Sequence, residues 1–144
     1  MDDIRSKFSI QQLRNALTTN DIELFCQTLK SILAGIPFNL HIQAESYYHS
    51  LMHVIVQLLG FTPNSQVLTS KGIIDMVIDT KKTLYVFELK FKDSAQKAMA
   101  QIEERKYYEK YKYLKKPIVL VGLSFNLQEK ELTVDSIKEE LRER

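Results

Sequence analysis

Two consecutive apolar segments, each carrying acidic residues at defined places, constrain this chain more than any other feature. The first is "GIIDMVID" and the second is "TLYVFELKF", and a short polar connection around Lys81 and Lys82 joins them. Side chains alternate between the two faces of a β-strand. Each segment therefore has one apolar face and one face that becomes polar near an end. This pattern predicts a β-hairpin in which each strand buries one face.

The length of the turn determines which residues of the hairpin face each other. A two-residue turn at 81–82, or a four-residue turn at 80–83, places Asp75 directly opposite Glu88, with Cβ atoms about 5 Å apart. A three-residue turn would move Asp75 to the other face. Because Lys-Lys is a poor pair for a two-residue turn, we favour the turn of four residues.

Two facing carboxylates repel each other, and burial increases the cost of that repulsion. Lys90 lies on the same face as Glu88 and brings one positive charge. A divalent cation would bring more, since carboxylate oxygens are preferred ligands of Mg²⁺. Two interpretations follow: a metal site with an associated lysine, or a hairpin with incidental salt bridges.

The remaining sequence surrounds this hairpin with helices and further strands. Apolar spacing and capping residues predict N-terminal helices at 9–17, from a capping box at Ser9, at 20–33, with Asn20 as cap, and at 42–59. A short strand at 65–70 precedes the hairpin. After the hairpin we predict a long helix from the cap Ser94 to residue 114, a buried strand at 117–125, an edge strand at 129–135 and a closing helix at 136–144.

This order of elements predicts an α/β fold with a mixed central sheet of about five strands flanked by helices and preceded by N-terminal helices. The 144 residues, with 44% hydrophobic and 26% charged side chains, fit one globular domain over 1–144. We divide it into an N-terminal helical part, 1–36, and a core, 37–144.

Composition narrows the cellular setting. The single cysteine, Cys26, excludes an intramolecular disulfide. The N-terminus lacks the apolar run of a signal peptide, and the longest apolar block is too short to span a bilayer. We therefore expect a cytoplasmic protein with no membrane partner.

Positive charge is concentrated between Lys81 and Lys116. This segment contains 11 Lys and Arg residues but only five Asp and Glu residues, whereas the whole chain has a net charge of +2. Basic residues interleaved with tyrosines suit a nucleic-acid surface, for which the candidates are Lys106, Lys110, Lys112 and Tyr108. The other interpretation is a helix with solvated lysines whose Tyr107 and Tyr111 pack against the sheet.

Two histidines, His49 and His53, follow Glu45 at intervals of four residues and form one helical stripe. Two histidines one turn apart do not make a metal site without further ligands. We interpret both as packed or surface residues, with His49 close enough to Glu45 to touch the edge of the predicted site.

Asp75 followed by Glu88-Leu89-Lys90 on the next strand is similar to the signature of the PD-(D/E)xK nuclease superfamily, which has a restriction-endonuclease-like fold. Over 45–125, the chain also resembles the nuclease-like domain found at the C-terminal end of many prokaryotic proteins with an N-terminal AAA-type ATPase-like module.

The resemblance implies hydrolysis of phosphodiester bonds in nucleic acid, with DNA the expected substrate, and Mg²⁺ or Mn²⁺ as cofactor. It implies metal ligands at Asp75, at Glu88, at the backbone carbonyl of Leu89 and, through water, at Glu45. Lys90 and Gln101 complete the implied catalytic set. The alternative is a catalytically inactive domain of the same fold that binds nucleic acid or couples to an ATPase-like domain or subunit. A homodimer remains open.

The chain also departs from the pattern of that superfamily. Ile74 stands where the name-giving proline would be. Branches with a glutamine on the following helix often place a tyrosine four residues later, but Arg105 stands there. Tyr108, seven residues after Gln101, would lie on the same helical face as Gln101.

Overall fold

The computed structural model describes the backbone of residues 3–141 and the side chains of residues 9–141. Its centre is a five-stranded sheet in which the strands follow one another in chain order. The strands are β1 (Pro63–Thr69), β2 (Gly72–Asp79), β3 (Leu84–Phe91), β4 (Ile118–Gln128) and β5 (Glu131–Leu141). Only β3 and β4 are parallel, so the predicted mixed sheet of five strands is confirmed.

The hairpin of β2 and β3 has the predicted register. The pairs run from Asp79 opposite Leu84 to Met76 opposite Phe87. The turn uses the four residues 80–83, and the backbone N–H of Thr80 donates to the carbonyl of Thr83 at 3.0 Å. The predicted pair of Asp75 and Glu88 would lie one residue beyond the end of this ladder.

Three helices precede the sheet and cover one of its faces. They are α1 (Asp3–Thr18), α2 (Ile22–Leu33) and α3 (Glu45–Leu58), with a short 3₁₀ turn at Phe38–Leu40 between the last two. Their apolar residues share one core with the odd-numbered residues of β3. The buried Tyr85 hydroxyl also donates to the carbonyl of Leu17 at 2.6 Å, which ties α1 to the sheet.

The opposite face of the sheet is covered by the connection from β3 to β4. This connection consists of α4 (Ala95–Arg105) and a 3₁₀ segment (Tyr107–Leu114). The even-numbered Leu84 and Val86 of β3 lie in this second core, together with Ile102 of α4 and the buried Tyr107. The two cores confirm that β3 is apolar on one face and changes to polar side chains only toward the end of the other.

The predicted closing helix is wrong. Residues 136–141 belong to β5, which pairs with β4 along its whole length, and residues 142–144 lie outside the described part. The sequence "SIKEELRER" has good helix propensity, but β4 has a long edge whose backbone groups need a partner. Val134 packs into the first core and Ile137 against the second, which is the alternation expected of a strand.

The long helix predicted from Ser94 to residue 114 is also wrong in its second half. Ser94 does cap α4, since its side chain accepts from the backbone N–H of Lys97 at 3.1 Å. The α-helix ends at Arg105 because Lys106 adopts the left-handed conformation, with φ 49° and ψ 46°. The chain then continues as the 3₁₀ segment in a new direction.

Three helix starts differ from the prediction. Helix α1 begins at Asp3, upstream of Ser9, and α3 begins at Glu45 rather than at residue 42. The cap of α2 is Asp21, whose carboxylate accepts from the backbone N–H of Leu24 at 3.0 Å. Asn20 instead has a positive φ of 59°. Within the described residues, none of the helices is both long and apolar enough to cross a membrane.

Candidate functional site

At the end of the hairpin remote from its turn, which we call the open end, the two strands are no longer paired. The recorded pairing of β2 with β3 ends at Met76 and Phe87. One residue further on, Oδ2 of Asp75 accepts a hydrogen bond of 2.8 Å from the backbone N–H of Leu89. The Asp75 carboxylate thus satisfies a β3 backbone donor where the paired ladder has ended, which fixes this carboxylate at the edge of β3.

Glu88 is the most unusual residue of this open end. It is a carboxylic acid with only 3% of its surface exposed. Its Oε1 accepts from Nε2 of Gln101 at 3.0 Å, whereas its buried Oε2 has no hydrogen-bond partner among the described residues. Burial, followed by the neighbouring Asp75 carboxylate, which offers only acceptor oxygens and a negative charge, raises the pKa of Glu88 to about 9. Glu88 is therefore neutral at pH 7 unless a cation lies beside it.

Gln101 connects Glu88 with Lys90. Its Oε1 accepts from the ammonium of Lys90 at 2.9 Å while its Nε2 donates to Glu88. The reverse orientation of the amide would place the oxygen against a carboxyl group and the NH₂ against an ammonium group, so the two neighbours fix the orientation. The structure thus joins three of the five residues in the predicted catalytic set, Glu88, Lys90 and Gln101, by hydrogen bonds.

The position of Gln101 follows from a close approach of α4 to the sheet. Gly122 of β4 pairs with Glu88. A Cβ atom at residue 122 would lie 2.6 Å from the carbonyl oxygen of Ala95 and 2.9 Å from the backbone nitrogen of Met99. The missing side chain lets α4 lie directly on β4, so that Gln101 reaches the carboxyl group beneath it.

Tyr107 and Arg105 complete this network, and the sequence did not identify them as parts of the site. The hydroxyl of the fully buried Tyr107 accepts from Nε2 of Gln101 at 3.3 Å and from Nη1 of Arg105 at 3.1 Å. Gly72 leaves the space, since a Cβ there would lie 3.3 Å from the Tyr107 ring. One sequence feature indicated a change at this place, namely Arg105, which stands where related nucleases often have a tyrosine.

The prediction that Tyr108 reaches the Gln101 face is wrong. It assumed seven residues of continuous helix, but the left-handed Lys106 interrupts the helix and directs Tyr107 inward instead. Tyr108 is half-buried against the second core. Tyr111 is half-buried against the same core, so the packed interpretation is confirmed for Tyr107 and Tyr111.

Glu45 approaches the site from the other face. It is the first residue of α3, and Tyr48, one turn later, stacks on Phe91 and Phe125 with ring centroids 5.2 and 4.9 Å apart. This stacking holds the start of α3 over the ends of β3 and β4. Burial raises the pKa of Glu45, the Lys90 charge lowers it, and the Asp75 charge raises it again. The exposed Glu45 thus lies within the electrostatic field of the other site residues.

The two histidines of α3 contact β1 and not one another. Nδ1 of His49 lies 3.3 Å from Nε2 of Gln66, and Nδ1 of His53 lies 2.6 Å from Oγ of Ser65. Both histidines are half-buried, in agreement with their interpretation as packed or surface residues. His49 also adds to the field at Glu45.

The three candidate lysines of the basic segment are exposed. Nζ of Lys110 donates to the carbonyl of Leu68 at 3.2 Å, and Nζ of Lys112 lies 5.4 Å from the centre of the Tyr108 ring. Lys106 occupies the bend between α4 and the 3₁₀ segment. These lysines lie along the connection that also supplies Gln101 and Tyr107.

Within residues 9–141, no three Asp, Glu, His or Cys side chains are gathered closely enough to form a metal site by themselves. The adjacent carboxyl groups of Asp75 and Glu88 nevertheless have the chemistry that a hard divalent cation requires. The buried, unpartnered Oε2 of Glu88 is an oxygen that such an ion would satisfy. The donor set fits a metal with additional ligands from water or substrate.

Comparison with known proteins agrees with this geometry. The chain is 29% identical over 122 residues to an uncharacterized protein in the vnfD 5′ region of Azotobacter chroococcum mcd 1. The match covers 80% of this chain and 24% of that relative, so the chain spans about a quarter of its length. The sequence model of the PD-(D/E)XK nuclease superfamily matches residues 43–135, which include every residue of the site described above. The chain belongs to the PD-(D/E)XK nuclease superfamily.

Proposed function

We propose that this protein is a metal-dependent nuclease that hydrolyses phosphodiester bonds of DNA. The observation that carries the proposal is the buried Oε2 of Glu88, which lacks a partner beside the Asp75 carboxyl group. A fold gains nothing from burying such an oxygen unless a proton or a cation occupies the space next to it. Membership of a superfamily of nucleases that use divalent ions supports the second choice.

Each residue of the site has a separate task in this proposal. Asp75, Glu88 and the Leu89 carbonyl would hold Mg²⁺ or Mn²⁺ directly, and Glu45 would hold it through water. When bound, the ion would polarise the scissile phosphate and lower the pKa of a bound water. The catalytic set of the chain is completed by Lys90 and Gln101.

Lys90 would act on the charge of the substrate. Its ammonium lies at the end of β3 and is held there by Gln101 at 2.9 Å. Only one of its three N–H donors is needed for this contact. The others can donate to a phosphate oxygen or to the attacking water, which would stabilise the negative charge that develops during hydrolysis.

The direct test is cleavage of supercoiled plasmid DNA by the purified chain with Mg²⁺, with Mn²⁺ and with EDTA. We expect nicking or linearisation with either metal and none with EDTA. Asp75→Asn and Lys90→Met should each lower the rate at least about 100-fold. The matched control is Asp79→Asn, which changes an aspartate of the same strand that lies outside the site.

Melting curves and circular dichroism of all variants separate loss of chemistry from loss of fold. Wild-type protein that is folded but leaves DNA intact with both metals would contradict the proposal. Equal activity of the wild type and Asp75→Asn would contradict it as well, because the observed cleavage would then come from a contaminant.

A second candidate function is a catalytically inactive domain that binds nucleic acid. The exposed lysines at 106, 110 and 112 favour it, because they need no metal to bind phosphates. Retarded migration of DNA in EDTA, together with no cleavage in either metal, would support this function over the first.

We also propose that the chain acts as one domain, 1–144, of a larger assembly that contains an ATPase-like domain or subunit. The support is the relative of which the chain spans about a quarter, and the resemblance of 45–125 to C-terminal nuclease-like domains.

A homodimer is a further proposal, and light scattering during size-exclusion chromatography tests it. The mass of one chain at all concentrations would contradict the homodimer.

A further inference from the structure

A cleft of about 340 Å³ lies beside the site. One wall is the turn from β1 to β2, over residues 68–71, and the other is the bend from α4 into the 3₁₀ segment, over residues 106–110. We call it the lysine cleft because Lys71, Lys106 and Lys110 line it. None of these three residues belongs to the carboxylate site, and Lys71 comes from a turn that the sequence did not point to.

The lysine cleft carries a net positive charge. Its three lysines are exposed, and the one acidic residue in its lining is Glu109, whose carboxylate lies 3.6 Å from Nζ of Lys71. Both partners of this ion pair keep nearly half of their side-chain surface exposed, at 47% and 45%. The lining therefore has two positive charges in excess, and the Glu109 contact can exchange for another anion.

Lys110 is held in place and still has donors to offer. Nζ of Lys110 donates to the carbonyl of Leu68 at 3.2 Å, which connects the two walls of the lysine cleft. An ammonium group has three donors, so this contact leaves two of them available. Lys112, in contrast, lies over the Tyr108 ring and does not line the cleft.

Tyr107 connects the lysine cleft with the carboxylate site. It lines the cleft, while its hydroxyl accepts from Gln101 of the site. Gln101 in turn contacts Glu88 and Lys90. One side chain thus separates the cleft from the group that holds the catalytic residues.

We propose that the lysine cleft binds the backbone of the nucleic-acid substrate at a phosphate next to the one that is hydrolysed. The inference deepens the proposed nuclease function and rests on it for the identity of the ligand. A run of phosphates one nucleotide apart is the polyanion that a site with three lysines beside a hydrolytic centre would recognise. Glu109 competes with this phosphate for Lys71.

Opposite effects on binding are expected from Glu109 and from the three lysines. Removing a lysine from the lysine cleft weakens binding, whereas Glu109→Gln removes the competing carboxylate and tightens it. Both effects should shrink as the salt concentration increases, since each phosphate contact releases a counterion.

The test is the binding of fluorescently labelled duplex DNA, measured by anisotropy at several KCl concentrations in EDTA, where no cleavage occurs. We compare Lys71→Gln, Lys106→Gln, Lys110→Gln and Glu109→Gln with the wild type. The matched control is Lys138→Gln on β5, because Lys138 also lies 3.6 Å from a glutamate, Glu140.

Each lysine variant of the lysine cleft should weaken binding roughly three- to tenfold and reduce the salt slope by about 1. Glu109→Gln should tighten binding about two- to fivefold by the same argument, and Lys138→Gln should change it little. Unchanged binding in the three lysine variants, or equal weakening in Lys138→Gln, would overturn the inference.

The two proposals can fail separately. If the protein cleaves DNA with metal but the lysine variants bind DNA as the wild type does, the nuclease function is supported and the role of the lysine cleft is contradicted. If binding depends on the lysine cleft but no cleavage occurs in Mg²⁺ or Mn²⁺, the hydrolytic function is contradicted and the lysine cleft is supported as a nucleic-acid site. Absence of any binding by the wild type contradicts the cleft.

Discussion

The two aspartates of β2 have opposite surroundings although they lie only four residues apart. Asp79, at the turn, is half-exposed; it accepts from the backbone N–H of Lys81 at 3.0 Å and pairs with Lys116. Burial acts to raise its pKa, but these two hydrogen bonds and the Lys116 charge lower it below its ordinary value. Asp75, at the open end, instead faces the carboxyl group of Glu88.

The difference shows that the neighbours of a carboxylate, and not its strand, determine what it can do. At the turn, the Asp79 carboxylate already pairs with Lys116, so binding of an added cation would stabilise it little. At the open end, burial and a second acid leave Glu88 protonated in the absence of metal, with a pKa of about 9. The first end stabilises the hairpin, whereas at the second a bound cation would take the place of the proton on Glu88.

The sharpest contrast between the two ends is expected from amide substitutions. Glu88→Gln should lower metal-dependent cleavage at least about 100-fold, because it removes a ligand oxygen of the ion. Asp79→Asn should keep the rate within about threefold and lower the free energy of unfolding by less than about 1 kcal/mol, since the Asp79 side chain keeps 48% of its surface exposed. Plasmid cleavage and thermal melting measure both effects. Equal losses of activity in the two variants would refute the assignment of separate roles.

The second-largest difference between the two ends of the hairpin is expected in the pH dependence of stability. In EDTA, the raised pKa of Glu88 means that the folded protein binds more protons than the unfolded chain between about pH 4.5 and pH 9. Its contribution to the free energy of unfolding is therefore largest at low pH and is lost as the pH rises through this range, by an amount on the order of several kcal/mol. Urea unfolding at a series of pH values measures it.

Glu88→Gln provides the control for this pH series. It cannot titrate at residue 88, so its free energy of unfolding should fall less than that of the wild type between pH 5 and pH 9, by roughly the same several kcal/mol. Parallel curves for the two proteins would show that Glu88 titrates normally. Asp79 works in the opposite direction, because its lowered pKa contributes stability that is lost as the pH falls.

A third contrast lies in the packing above the open end. Gly122→Ala places a methyl group 2.6 Å from a backbone carbonyl of α4, which cannot move without shifting the helix. We expect a loss of about 2–3 kcal/mol in the free energy of unfolding, together with reduced cleavage because Gln101 moves with α4. Gly35→Ala is a milder comparison, with one contact at 3.2 Å. A Gly122→Ala protein of wild-type stability would contradict the close approach of α4 to β4.

The smallest effect is expected at Tyr107, which we regard as a positioning residue. Tyr107→Phe removes the acceptor of one Gln101 N–H and of Arg105, at a cost of about 1 kcal/mol in unfolding free energy. Cleavage should fall by up to about tenfold, in kcat more than in KM. Tyr111→Phe, which keeps the packed ring, is the control. A Tyr107→Phe enzyme with unchanged kcat and stability would remove Tyr107 from the network.

Sequence periodicity was sufficient for the parts of the fold that depend on local pattern. The alternation along β3 and the four-residue turn predicted the register from Asp79 to Met76, and Asp75 lies beside Glu88 just beyond it. Gln101 came from the resemblance to the superfamily, and its contacts with Glu88 and Lys90 are those of one connected site. Metal binding and catalysis by these residues remain predictions.

The errors arose where tertiary contacts outweigh local preference. The segment that contains Ile137 favours a helix by composition, yet it forms a strand because the edge of β4 requires hydrogen-bond partners. Tyr107 was missed because no glycine or proline marks the end of α4. Its burial compensates the left-handed conformation of Lys106, which costs roughly 1–2 kcal/mol and which a local pattern cannot reveal.

The left-handed Lys106 also fixes a distance. Lys106 lines the lysine cleft and Tyr107 contacts Gln101 of the carboxylate site, and these two residues are neighbours in the chain. Their Cα atoms are held about 3.8 Å apart by covalent bonds, whatever the surrounding side chains do. The lysine cleft and the network around Gln101 therefore share one peptide unit of backbone, so a movement of this bend would displace both together.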